Sequence, residues 1–252
     1  MRFVLSIVVC VAAIMLMTSC TPAFYSTVGQ NVPLFHSKGE VVVNAGIMSA
    51  ATNSDAFNPV ESLNPGIVLQ TAVAIDSNAA LIASYYNLSS DGNWKVSANY
   101  FELGGGLFTY KPKSRFVAEL FLGAGYGAIN NSRDQEVIDV DFLKYFLQPS
   151  VGISGKVLEV AFTPRFGVVD YLSNSPSTRS DVQQYFTEKA TSFVFEPGIT
   201  VRVGFKNFRA QYQMNYSTFH FDRPFQSSEF DPVMDCYGSL SFYVAINRRW
   251  SR

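Results

Sequence analysis

Charge is scarce in this chain. Only 15% of its 252 residues are Asp, Glu, Lys or Arg, against about 25% in ordinary soluble domains. A water-facing surface of this size needs more. Histidine occurs twice, as His36 and His220, and cysteine three times, at positions 10, 20 and 236. No Cys cluster, no His pair at metal-ligand spacing and no Gly-rich phosphate loop is present. The sequence therefore assigns no metal, no cofactor and no catalytic residue. The net charge of −1 leaves no basic field for nucleic acid. Disorder is excluded too, because low charge here accompanies 22 Phe and 13 Tyr. After residue 17 no apolar run approaches the roughly 20 residues of a membrane-spanning helix.

What is present begins with a leader. Arg2 precedes an apolar run over residues 3–17, too short to span a membrane and right for a signal peptide. Its end, Met17-Thr18-Ser19-Cys20, resembles a bacterial lipobox, in which small residues precede a cysteine that receives lipid. A plain secretory signal followed by an incidental cysteine is the alternative. The expected organisation is a signal peptide over 1–19, a lipidated periplasmic N-terminal segment over 20–38 and a barrel over 39–252. With Cys10 removed and Cys20 lipidated, Cys236 is the one free thiol, so stability must come from the fold rather than from disulfides.

The dominant signal is alternation with a period of two. In residues 158–168 the even positions are Leu158, Val160, Phe162, Pro164, Phe166 and Val168, and the odd ones include Glu159, Thr163 and Arg165. Residues 193–205 reverse the parity, with Glu196 and Arg202 among the even positions. Arg209, Gln211, Gln213 and Asn215 alternate with Ala210, Tyr212, Met214 and Tyr216. A helix would mix these sets. Ten strands follow, near 40–49, 65–75, 79–88, 96–110, 115–129, 142–153, 157–171, 191–205, 208–221 and 237–250. Short connections alternate with long ones at 50–64, 89–95, 130–141, 172–190 and 222–236. This predicts an all-β fold, a transmembrane antiparallel up-and-down β-barrel of about ten strands.

The polar faces are rich in Gly, with isolated Glu, Arg and Gln and hardly any Lys. The apolar faces carry Phe, Val, Leu and Ile. That predicts lipid outside and polar groups inside, with interfacial aromatics such as Tyr85, Tyr126, Tyr145, Tyr216 and Trp250. Pro149, Pro164 and Pro197 fall mid-strand and are read as bulges or bends. Cys20, the Asn31-Val32-Pro33-Leu34-Phe35 segment and the Gln148-Pro149, Thr163-Pro164 and Glu196-Pro197-Gly198 strands resemble small bacterial outer-membrane β-barrel lipoproteins. The resemblance implies a bacterial outer-membrane location with a lipid anchor at the N-terminus. Families of this type often have no assigned activity.

Inside, parity gathers Glu159, Arg165, Glu196, Arg202 and Arg209 into a lumen charge network, joined by Gln148, Gln211 and Gln213. Glu196 is expected to contact one of the three arginines. Glu102 and Glu119 also face in, while Lys144 and Asp170 are placed in neither the lumen nor the loops. A register set by the turn over 111–114 puts Glu102 opposite Gly123, Phe121 opposite Gly104 and Glu119 opposite Gly106. A lumen of this strand number is filled or very narrow. The long connections hold thirteen acidic and five basic residues, and basic residues predominate on the opposite side. Asp134, Glu136, Asp139 and Asp141 lack the spacing of a calcium loop. The expected role is structural or partner-binding, in contact with outer-membrane lipid and with a protein partner through the long loops or residues 21–38. The rivals are a narrow channel or small-ligand transporter, a lipid-modifying enzyme using His220 and Asp222, and a soluble lipid-anchored barrel.

Overall fold

A computed structural model describes residues 23–52, 62–91, 94–110, 115–174, 180–188, 190–205, 207–218 and 233–248. The leader, Cys20, His220, Asp222 and Trp250 lie outside these residues. Ten long strands form the wall: β2 (Val41–Thr52), β3 (Ser62–Ala74), β4 (Ala79–Asp91), β5 (Lys95–Tyr110), β6 (Phe116–Arg133), β7 (Glu136–Ser154), β8 (Leu158–Asn174), β9 (Thr191–Phe205), β10 (Phe208–Tyr216) and β12 (Cys236–Ile246). Each pairs antiparallel with its neighbours, and β12 against β2 closes the ring. Two short strands, β1 (Tyr25–Ser26) and β11 (Val233–Met234), pair with each other, and helix α1 (Ser180–Glu188) lies between β8 and β9.

The alternation sorts as its chemistry demands. Glu159, Thr163 and Arg165 are buried while Leu158, Val160, Phe162 and Phe166 face outward. Leu107, Leu122, Ile153, Leu240 and Phe242, from four different strands, are each more than half exposed. Apolar exposure all round the wall has no place in water and is what lipid requires of a barrel. Tyr85, Tyr126, Tyr145 and Tyr216 are on this outer surface.

Four expectations are corrected. The connections 89–95 and 130–141 are not long loops: β4 and β5 run to Asp91 and Lys95, and β6 and β7 meet at the tight turn Asp134-Gln135. Asp139 and Asp141 are consequently strand residues, bonded to Asn130 and Tyr126. The β5–β6 register is offset by two, with Glu102 opposite Gly125, Phe121 opposite Gly106 and Glu119 opposite Phe108. The closing pair is Tyr110↔Val117, so the turn is two residues longer than assumed, and an even offset keeps every side chain on its face.

The prolines are not bulges. Pro164 faces Pro197 across β8 and β9. The β7–β8 ladder breaks between Leu147↔Phe166 and Val151↔Phe162 and resumes in the same register, which sets Pro149 opposite Pro164. Proline has no N–H to give a ladder. The one irregularity of register in that pair of strands is between Asp141 and Phe142.

The largest correction concerns the N-terminal segment. It was expected below the barrel on the periplasmic side, available to a partner. Instead every residue from Ala23 to Phe35 is buried, and the segment runs through the lumen before Gly39, in the left-handed region at φ 77°, turns it into β2. Its apolar side chains find their cover inside the wall.

Candidate functional site

The lumen is a site for an extended peptide, and the chain supplies that peptide itself. From Val28 to Leu34, seven consecutive backbone carbonyls accept a hydrogen bond from a side chain of the barrel. Asn215 Nδ2 donates to Val28 O at 2.8 Å and Tyr86 Oη to Gly29 O at 2.5 Å. Gln213 Nε2 donates to Gln30 O at 2.8 Å, and Gln148 Nε2 to Asn31 O at 2.7 Å. Arg202 donates to Val32 O, and Tyr243 Oη to Pro33 O at 2.6 Å. Arg248 Nη2 reaches Leu34 O at 3.2 Å. Buried carbonyls need such partners, and an irregular segment inside a wall already paired with itself finds them only on side chains.

Two amides grip the segment both ways, as a neighbouring strand would. Gln213 Oε1 also accepts from the Gln30 N–H at 2.9 Å. Asn131 accepts from the Ala23 N–H at 2.7 Å and donates to Ala23 O at 2.8 Å.

The charged residues form two groups. In the middle of the barrel, Glu196 accepts from Lys144 Nζ at 2.5 Å, Tyr25 Oη at 2.6 Å and Thr27 Oγ1 at 2.9 Å. Beside it Arg165 forks onto Glu102, both nitrogens at 3.1 Å, and donates to Gln148. Near the short-turn end Glu159 receives Arg202 at 3.2 Å, Arg209 at 2.7 Å and Arg248 at 2.7 Å. Arg248 also holds Glu40 at 2.5 Å, and His36 Nε2 is 2.7 Å from Ser154 Oγ. Planar guanidinium groups suit this shared use because each presents several donors at fixed angles.

The five residues assigned to the lumen by parity, Glu159, Arg165, Glu196, Arg202 and Arg209, are all inside and at most 2% exposed. Their pairing differs from expectation. Glu196 is opposite Arg165 in the register but takes Lys144 as its ionic partner, because Arg165 is held by Glu102. Lys144 was missed, although its even parity on β7 matches Gln148. Arg248 and Glu40, at the short-turn end, also turn inward; Arg248 directly follows Asn247, whose backbone is in the left-handed region at φ 61°.

The upper lumen is aromatic. Tyr25, Tyr86, Trp94, Tyr100, Phe142 and Tyr237 cluster there. Helix α1 lays Val182 and Phe186 over this cluster, with Phe24 and Phe186 ring centroids 4.8 Å apart. The gap lined by Ser26, Val28, Tyr86, Tyr100 and Phe142 is about 10 Å³, room for about one water. Among the described residues no group of three or more His, Cys, Asp or Glu is placed to hold a metal.

Fold and site together define a closed ten-stranded barrel with an exterior suited to lipid and a lumen occupied by its own chain. No family model and no curated protein matches the sequence. Solved structures of similar outline include the attachment invasion locus protein Ail of Yersinia pestis, at 9% identity and a TM-score of 0.39, covering 83% of this chain and 99% of that one. A bacterial polysaccharide outer membrane secretin matches at 10% and 0.27, over 86% and 100% of the two chains. The CymD monoaromatic hydrocarbon channel matches at 8% and 0.29, over 83% and 88%. At these scores none carries an argument about this chain, whose class rests on its own geometry.

Proposed function

We propose that this protein is a bacterial outer-membrane barrel lipoprotein with a structural or partner-binding role and a closed lumen. The observation that carries this reading is the internal segment. Its main chain is bonded to the wall over seven consecutive carbonyls, and the charges on the wall are committed to one another and to that segment. A conduit needs a continuous wet path, and here its place is taken by packed polypeptide. The long-loop end, where α1 packs over the lumen, is the surface left for a partner. The lipoprotein assignment rests on the lipobox-like Cys20. The non-enzymatic one rests on burial: His36, Ser154 and Glu159 do converge at the short-turn end of the lumen, but all three are at most 5% exposed and enclosed by arginines, out of reach of a lipid substrate.

A narrow channel remains the second reading, favoured by the buried Glu, Arg and Lys groups that the segment covers. Planar-bilayer recording separates the two. The full chain should show no stepwise conductance, and a variant lacking residues 23–36 should show it if the wall holds without them. Stable conductance steps from the full chain would overturn the closed-lumen reading.

A further inference from the structure

The direction in which the internal segment runs is itself informative. Its end at Phe35 and His36 touches Glu119, Ser154 and Glu40. That is the end of the barrel where β3–β4, β7–β8 and β9–β10 are joined by short connections. Its start is at the opposite end. Ala23 is bonded to Asn131, two residues from the end of β6 at the β6–β7 turn. Tyr25 and Ser26 pair with Val233 and Met234 from the segment between β10 and β12, and Thr27 N–H donates to Met234 O at 2.9 Å. Phe24 is under α1. The connections that hold 53–61, 175–190 and 217–235 are on this side, and in outer-membrane barrels the long loops face the exterior and the short turns the periplasm.

We infer that the chain crosses the barrel once through its own lumen, so that the amino end of the mature protein is displayed on the long-loop, external face. The last wall strand, β12, finishes at Ile246 on the short-turn side. Cys20 precedes Ala23 by three residues, which at full extension reach at most about 11 Å. A lipid on that cysteine would therefore enter the outer leaflet near the β6–β7 turn rather than the inner one. This last clause rests on the lipoprotein reading, whereas the threading does not.

The test uses the full chain in intact cells, with Cys236→Ser as background, and the labelled cysteine is identified by tandem mass spectrometry so that an unlipidated Cys20 is scored apart from position 38. A cysteine is placed at position 22 in one variant and at exposed Lys38 in another. Each is probed with a membrane-impermeant maleimide before and after the outer membrane is permeabilised. Heat-modifiable gel migration checks that each barrel has closed. Threading predicts that Pro22→Cys labels equally in both conditions and that Lys38→Cys labels only after permeabilisation. Labelling of Pro22→Cys only after permeabilisation, or of Lys38→Cys in intact cells, overturns it. The mass of the N-terminal peptide reports lipid separately. External labelling without lipid upholds the threading and removes the lipoprotein reading. Lipid with labelling confined to permeabilised cells does the reverse.

Discussion

Lys144 and Glu196 give the sharpest test of how dry the lumen is. Both side chains are fully buried, and their charged atoms are 2.5 Å apart. Glu196 also receives the hydroxyls of Tyr25 and Thr27, so it joins the internal segment to two wall strands. Lys144→Met leaves the carboxylate with two neutral donors, and Glu196→Gln leaves the ammonium without its counter-ion. Breaking a buried pair from one side costs about 3–5 kcal/mol, because one charge stays behind. Removing both charges restores much of that loss, since an apolar or neutral pair of similar volume is often tolerated. Each single variant should thus lose about 3–5 kcal/mol, and Lys144→Met/Glu196→Gln markedly less than their sum. Guanidinium unfolding in detergent micelles, followed by loss of the heat-modifiable band, measures all four corners of the cycle. If both single variants lose less than about 1 kcal/mol and the double is additive, water screens the pair. The packed lumen described above would then be wrong.

Other perturbations address the internal segment. Asn131→Ala removes both bonds to Ala23 and should cost about 1–3 kcal/mol; hydrogen exchange should rise over residues 24–27 while the wall strands stay protected. Gly29 sits where a Cβ would lie 2.6 Å from Tyr237 Oη and 2.8 Å from Gln213 Oε1. Gly29→Val should therefore cost about 1–3 kcal/mol by overpacking, visible as a lower guanidinium midpoint, with Gly29→Ala milder.

The wall was legible in the sequence for a simple reason. A strand between lipid and a polar interior must alternate, and residues 158–168 and 193–205 do so with only Ala161 and Val194 as apolar side chains larger than glycine on the inner face. Parity then placed Glu159, Arg165, Glu196, Arg202 and Arg209 inside. It did not reveal partners, because partners depend on which strands face each other across the lumen, and Glu102 reaches Arg165 from β5 on the far side of two intervening strands. Lys144 could have been found from parity alone. The internal segment could not. Its hold is on backbone carbonyls, which every residue has, so nothing in residues 28–34 announces it. The nearest signal was on the wall, where Gln148, Gln213 and Asn215 supply inward amides with no evident use for one another.

The row of prolines has a consequence for how the wall coheres. Where Pro149 meets Pro164, the backbone offers no amide to join β7 to β8, yet no donor is left stranded in lipid. On the inner face of the same place, Arg165 Nε donates to Gln148 Oε1 at 2.9 Å and Thr163 Oγ1 to Ser150 Oγ at 3.1 Å. These residues flank the two prolines on either side, so side chains stitch the seam that the main chain leaves open. Gln148 also bonds the internal segment through Asn31 O. At this one point the lateral strength of the barrel and the seating of its contents depend on the same amide, and loosening one loosens the other.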